Sequence, residues 1–149
     1  MIAVIQRVKS STVKVEGKIV GEIGCGLNIL LGVKKGDSVQ DIKKLISKIV
    51  NLRIFQDKND KMNLSLLDAK GEALIISQFT LTGNIKKGRR PSFDSSENPE
   101  LAKKLYEEFI EEMIKEGVKV QTGIFGAKMD VNIQNDGPVT FIVDSKELN

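Results

Sequence analysis

The sequence predicts an α/β protein of the α+β type: mixed, mostly antiparallel sheets forming a barrel-like core with two main helices, in a single domain over residues 1–149. Three observations predict it. Short apolar or alternating runs, the mark of strands, recur along the chain. Only two stretches carry apolar residues at helical spacing. Several links between runs are too short for crossover helices, which favours antiparallel neighbours over regular βαβ alternation. At 40% hydrophobic and 29% charged, the composition suits one packed globular core.

Residues 2–8, Ile-Ala-Val-Ile-Gln-Arg-Val, read as an opening strand. Val13-Lys14-Val15 and Ile19-Val20 flank Glu16-Gly17-Lys18 as a hairpin. Cys25, between Gly24 and Gly26, reads as a small filler residue, since no basic partner is near to activate it. Residues 27–33 read as a central buried strand. A helix follows over residues 38–50. Ser38 and Asp41 have capping-box spacing, and Val39, Ile42, Leu45, Ile46 and Ile49 make its apolar stripe.

Residues 52–55 return as a strand, and residues 62–65 suit a short one. The next strand runs through Ala73-Leu74-Ile75-Ile76 into Ser77-Gln78-Phe79-Thr80. Asn98 then caps a second helix, with Pro99 at its first position. Its stripe is Leu101, Leu105, Phe109, Ile110, Met113 and Ile114, and Gly117 ends it. Three further strands are expected over residues 118–122, 129–133 and 139–143, with a turn over residues 134–138. The polar tail from Asp144 is expected to fray.

The most informative totals are small ones. There is no histidine, which excludes Ser-His-Asp and Cys-His catalysis and histidine-based zinc sites. One cysteine builds neither an internal disulfide nor a thiolate site. A general base would have to be a strongly shifted Lys or Glu, or come from the substrate. No apolar run approaches the ~20 residues that cross a bilayer, and the N-terminus has no signal-peptide pattern, so a cytoplasmic protein without membrane partners is expected. The net charge of +3 permits RNA binding without requiring it.

Chemistry is best placed at Ser77-Gln78-Phe79-Thr80. Two hydroxyls and an amide close a buried run there. The cationic loop Lys86-Lys87-Gly88-Arg89-Arg90 follows, which suits an anionic substrate. Taken alone, the polar residues also suit satisfying backbone groups where the strand leaves the core. The loop equally suits a solvated surface. Asn135-Asp136-Gly137-Pro138-Val139-Thr140 reads by itself as a turn, and since only ~5% of X-Pro bonds in folded proteins are cis, composition argues for trans.

Together, Ser77-Gln78-Phe79-Thr80 and Asn135-Asp136-Gly137-Pro138-Val139-Thr140 resemble the two signature motifs of the D-aminoacyl-tRNA deacylases. The opening Met1-Ile2-Ala3-Val4-Ile5-Gln6-Arg7-Val8 is similar to that family's usual start. Arg89-Arg90-Pro91-Ser92-Phe93 and residues 121–129 resemble further segments, so the likeness covers almost the whole chain. The basic loop is more cationic than is usual in the family.

The resemblance implies hydrolysis of the ester joining a D-amino acid, or glycine, to the terminal adenosine of tRNA. It implies cytoplasmic homodimers, no metal and no cofactor. It implies a cis Gly137-Pro138 bond that enters the partner's site and rejects L side chains, a chiral proofreading step in translation quality control. Ser77, Gln78, Phe79 and Thr80 would line the catalytic pocket, and Arg7 and Met129 would support it. Lys86, Lys87, Arg89 and Arg90 are candidate tRNA contacts. Two mechanisms stay open: assistance by the tRNA 2′-hydroxyl with Phe79 and Thr80 N–H groups as donors, or nucleophilic attack by Thr80. Other readings are a non-catalytic tRNA-binding module and a Thr-dependent small-molecule esterase.

Overall fold

The alternating start of the chain continues without a break, so the first strand and the hairpin arm predicted separately form one strand, β1 (Ile2–Val15). The computed structural model describes residues 1–149. Glu16 and Gly17 turn the chain at φ 51° and 77°, and β2 (Lys18–Ile23) returns antiparallel, as the hairpin reading requires. Next comes β3 (Gly26–Gly32), antiparallel to β1. Cys25 is exposed rather than a core filler, because the link between β2 and β3 lies at the surface.

Helix α1 (Val39–Asn51) begins where expected. The Asp41 carboxylate accepts from the Ser38 N–H at 2.9 Å. Ile42, Leu45, Ile46 and Ile49 are buried, whereas Val39 in the first turn is 37% exposed. The expected strand over residues 52–55 shrinks to β4 (Phe55–Gln56), paired with β5 (Met62–Leu64), because the chain before it only links α1 to the sheet. Strand β6 (Glu72–Ser77) lies parallel to β3.

The strand reading fails after Ser77. Phe79–Thr82 is a 3-10 turn, opened by the Leu81 N–H donating to the Gln78 carbonyl at 3.2 Å. The apolar run ends at Ile76, and no pairing partner continues beyond Ser77. Helix α2 (Pro99–Lys115) is capped by the Asn98 side chain, which accepts from the Leu101 N–H at 3.0 Å. It buries Leu105, Tyr106, Phe109 and Met113 and leaves Leu101 and Ile114 exposed, so its inner face is rotated from the predicted stripe towards Tyr106. Burial, and secondarily the charge of Glu107, pushes the Tyr106 hydroxyl up to about 12, and it donates to the Ile75 carbonyl at 2.8 Å.

Strand β7 (Lys119–Thr122) lies parallel to β6. The two strands and turn expected at the end are instead one strand, β8 (Asp130–Asp144), antiparallel to β1. Its register to β1 shifts between Gln6 and Ser10, so residues 136–139 bulge without ladder partners. The tail does not fray: Ser145–Glu147 forms a 3-10 turn with Ser145 buried. There the Met1 amino group donates to Asp37 Oδ1 at 2.6 Å and to Ser145 Oγ at 2.8 Å. Lys146 pairs with Asp41 at 2.8 Å.

The main sheet runs β2-β1-β3-β6-β7, with β8 on β1. It curls until β2 meets β7, giving a nearly closed, barrel-like sheet. At that seam a Cβ on Gly21 would lie 2.5 Å from the Thr122 carbonyl oxygen, so only glycine permits the approach. Alternation along β6 serves two cores. Ala73 and Ile75 join α1 and α2 in the larger one, while Leu74 and Ile76 pack with Val8, Val13 and Ile23 in the smaller one.

Candidate active site

The end of β6 opens into a cleft of about 540 Å³. Ile76 and Ser77 form its floor where the strand stops, and Gln78 and Phe79 turn along its edge. Ser96, Pro99 and Ala102 bring the start of α2 to one wall. Phe125, Met129 and Val131 bring the approach to β8 to the other. Met129 is seated against Gly123, where a Cβ would come within 2.5 Å of the sulfur.

The structure therefore brings Ser77, Gln78, Phe79 and Met129 together. Thr80 does not line the cleft: it is exposed on the turn directly after Phe79, and its hydroxyl accepts from the Gln78 side-chain amide. Phe79 and Thr80 open the 3-10 turn, ahead of its first hydrogen bond, so their N–H groups have no partner within the turn. Behind them Thr82 bonds Ser96 through the hydroxyls, and Ser95 Oγ donates to the Thr82 carbonyl at 2.6 Å. The turn is thus tied to the segment that leads into α2.

Arg7, Gly137 and Pro138 do not line this cleft. Arg7 is buried beneath the β8 bulge. Its Nε donates to the Asp136 carbonyl at 3.1 Å and pairs with the Asp136 carboxylate at 3.1 Å. Its Nη1 donates to the Ile54 carbonyl at 2.7 Å. Asn135 closes the bulge by donating to the Arg7 carbonyl at 2.9 Å and the Val139 carbonyl at 3.1 Å. The Gly137-Pro138 bond is cis, and both residues are exposed.

Lys86, Lys87, Arg89 and Arg90 are exposed on a loop closed by two backbone bonds between Asn84 and Ser92, of 2.7 and 3.0 Å. One residue beyond that closure, Phe93 packs on Phe79 with ring centroids 5.0 Å apart, so the loop is anchored beside the cleft. Sequence reasoning missed this aromatic contact and the α2 wall. The Asn98-Pro99 cap marked where α2 starts, but nothing local in it says that the start faces the end of β6.

A histidine-free cleft edged by a hydroxyl, an amide and open backbone N–H groups, on a curled mixed sheet, defines a protein suited to holding a polar carbonyl substrate in place. The comparisons with known proteins make this specific. The family model described as D-Tyr-tRNA(Tyr) deacylase matches residues 4–144. The chain is 67% identical to the D-aminoacyl-tRNA deacylase of Persephonella marina, over 99% of this chain and 100% of that one. It is 60% identical to that of Aquifex aeolicus over the same shares. A solved structure of a c-Myc DNA Unwinding Element Binding Protein superposes with a TM-score of 0.91 at 38% identity, covering 97% of this chain and 98% of that one. The chain belongs to the D-Tyr-tRNA(Tyr) deacylase family.

Proposed function

We propose that this chain hydrolyses the ester bond of D-aminoacyl-tRNA, releasing tRNA and the free D-amino acid, and that the cleft at the end of β6 is where it does so. The observation that carries the site is the open start of the 3-10 turn, with the Phe79 and Thr80 N–H groups beside the Ser77 and Gln78 side chains. An aminoacyl ester is activated already. Donors aimed at the developing oxyanion, with the ester held against Phe79, supply stabilisation without a protein base. The vicinal 2′-hydroxyl of the tRNA assists attack by water. A Thr80 nucleophile is disfavoured because its hydroxyl partner is the Gln78 amide, which cannot take up a proton at neutral pH.

In this reading Gly137 and Pro138 act as a backbone filter in the cleft of a second copy. Both are exposed and absent from the lining of their own cleft. Strand β8 pairs on one side only, with Phe141 and Ile142 exposed. A homodimer would cover that edge and bring each filter to its partner's site. The deacylase unit spans residues 1–149 and acts in the cytoplasm, beside the charged tRNA it clears. Glycyl-tRNA, with no side chain to exclude, is also a substrate.

Hydrolysis of D- and L-aminoacyl-tRNA of one amino acid, with glycyl-tRNA alongside, tests this. The D and glycyl esters should be lost and the L ester spared. Binding without hydrolysis would leave a tRNA-binding module. Turnover of simple D-amino-acid esters at rates matching charged tRNA would leave a small-molecule esterase.

A further inference from the structure

The outer face of α1 is unlike every other helical surface of the molecule. Beyond the first-turn Val39, its exposed positions are Gln40, Lys43, Lys44, Ser47, Lys48 and Asn51, with three cations and no carboxylate. The only acid of the helix, Asp41, points inward to Ser145 and Lys146. Helix α2 differs in kind. Its outer face mixes signs, with Lys103 paired to Glu107 and Lys115 to Glu112, and with Glu108 and Glu111 beside them.

The α1 face borders an open groove. It forms one wall of this groove, of about 930 Å³, with the segment carrying Glu147 and Leu148 on the other side and Arg53 at the end. The acidic groups in the lining are the Glu147 side chain and the terminal carboxylate of Asn149, against four cationic side chains. None of Lys43, Lys44, Lys48 or Arg53 belongs to an ion pair. The Lys44 ammonium meets only the Leu148 carbonyl, at 3.3 Å, and Arg53 is held at the groove end by the Asn63 carbonyl at 2.8 Å.

We propose that the α1 face is a docking surface for the phosphate backbone of the tRNA body, separate from the cleft and from the residue 86–90 loop. This rests on the deacylase reading above. The chemistry favours a polyanion over a small one. The lysines do not converge on one point but spread along the helix, with Lys43 and Lys48 about 7.5 Å apart along its axis. Hydroxyl and amide donors stand between them, the set that contacts phosphate and sugar. No aromatic side chain lies on the face to stack a base, so it reads backbone and not sequence. Its position is fixed relative to the proposed filter. Arg53 precedes Ile54, whose carbonyl Arg7 holds, and Arg7 also holds Asp136 beside Gly137.

The test compares two variants with equal charge loss. One carries Lys43→Gln, Lys44→Gln and Lys48→Gln; the other carries Lys103→Gln, Lys104→Gln and Lys115→Gln on α2. Glutamine keeps helix propensity, and circular dichroism checks the fold. The affinity for D-aminoacyl-tRNA is measured against potassium chloride concentration. The α1 variant should lose about 2 to 3 from the slope of log Kd against log salt and bind roughly tenfold more weakly at low salt. Its KM should rise more for charged tRNA than for D-aminoacyl-adenosine, which lacks the phosphates. The α2 variant should keep the wild-type slope. Equal slope losses in both variants, or none in either while the wild type deacylates, overturn the α1 surface alone. A wild type that neither binds nor deacylates tRNA overturns the deacylase reading and this surface with it.

Discussion

The Gln78 side-chain amide donates to the Thr80 hydroxyl, and in the proposed reading that contact argues against Thr80 as the nucleophile. A threonine nucleophile needs a group to take its proton, and an amide does not. Thr80→Ala and Thr80→Val should therefore keep kcat within a few-fold of wild type, as measured by release of tritiated D-amino acid from charged tRNA. A substrate ending in 2′-deoxyadenosine should be cleaved at least a hundredfold more slowly. Rates lost in both Thr80 variants but kept on the deoxy substrate would reverse the assignment. Ser77, Gln78 and Phe79 line the cleft, and the sequence singled them out because a hydroxyl and an amide directly after a buried run stand out from it. Phe93 was not singled out, because its role depends on a loop folding back to place its ring 5.0 Å from that of Phe79.

Two elements position what the residues do. The β8 bulge holds Gly137 and Pro138 out of the ladder, over buried Arg7 and its half-buried partner Asp136. Pro138→Ala changes the exposed surface of that bulge without removing the pair. Under the proposed steric filter it should let L-aminoacyl-tRNA be hydrolysed, lowering the D-to-L rate ratio by about tenfold or more. An unchanged ratio would move the filter elsewhere. The second element is the residue 86–90 loop, closed at Asn84 and Ser92. Lys86→Gln with Lys87→Gln should flatten the salt dependence of tRNA binding by about 1 to 2 in slope, read by fluorescence titration. An unchanged slope would make these two lysines ordinary solvated surface.

At the scale of the whole molecule, one cluster ties together the Met1 amino group, the start of α1 and the last turn. Burial pushes the Asp41 carboxyl up, but hydrogen bonds from Lys146, Ser145 and Ser38 outweigh it and hold it well below its ordinary value of 3.8. Its stabilising contribution is therefore complete above about pH 5 and fades as the pH falls further. The Lys146 ammonium is raised above 10.5, chiefly by its bond to Asp41, so its contribution is present below that pH and lost above it. Asp41→Asn should thus lower the Tm at pH 7 and lessen its fall between pH 5 and pH 3, followed by scanning calorimetry. An unchanged acid profile would remove the cluster from the stability of the fold. The free edge of β8 belongs to this scale as well. Ile142 is 72% exposed there, and Ile142→Asp should shift the mass found by light scattering from two chains towards one. A wild type already monomeric at micromolar concentration would exclude the dimer.

The sequence by itself determined the hairpin, both helix starts, the buried strands and the two motifs, because each is written in neighbouring residues: periodicity, caps and turn glycines. It also determined that catalysis here proceeds without histidine, since the chain contains none. Tertiary structure alone decided the rest. Gln134 to Val139 looked like a turn between two strands, yet β1 is long enough to pair on both sides of it, and one bulged strand results. The polar tail looked free, yet the Met1 amino group and Asp41 give Ser145 two buried partners. The cleft needed the end of β6, the start of α2 and the approach to β8 to meet. Such meetings depend on how the sheet curls, and no window of neighbouring residues carries that information.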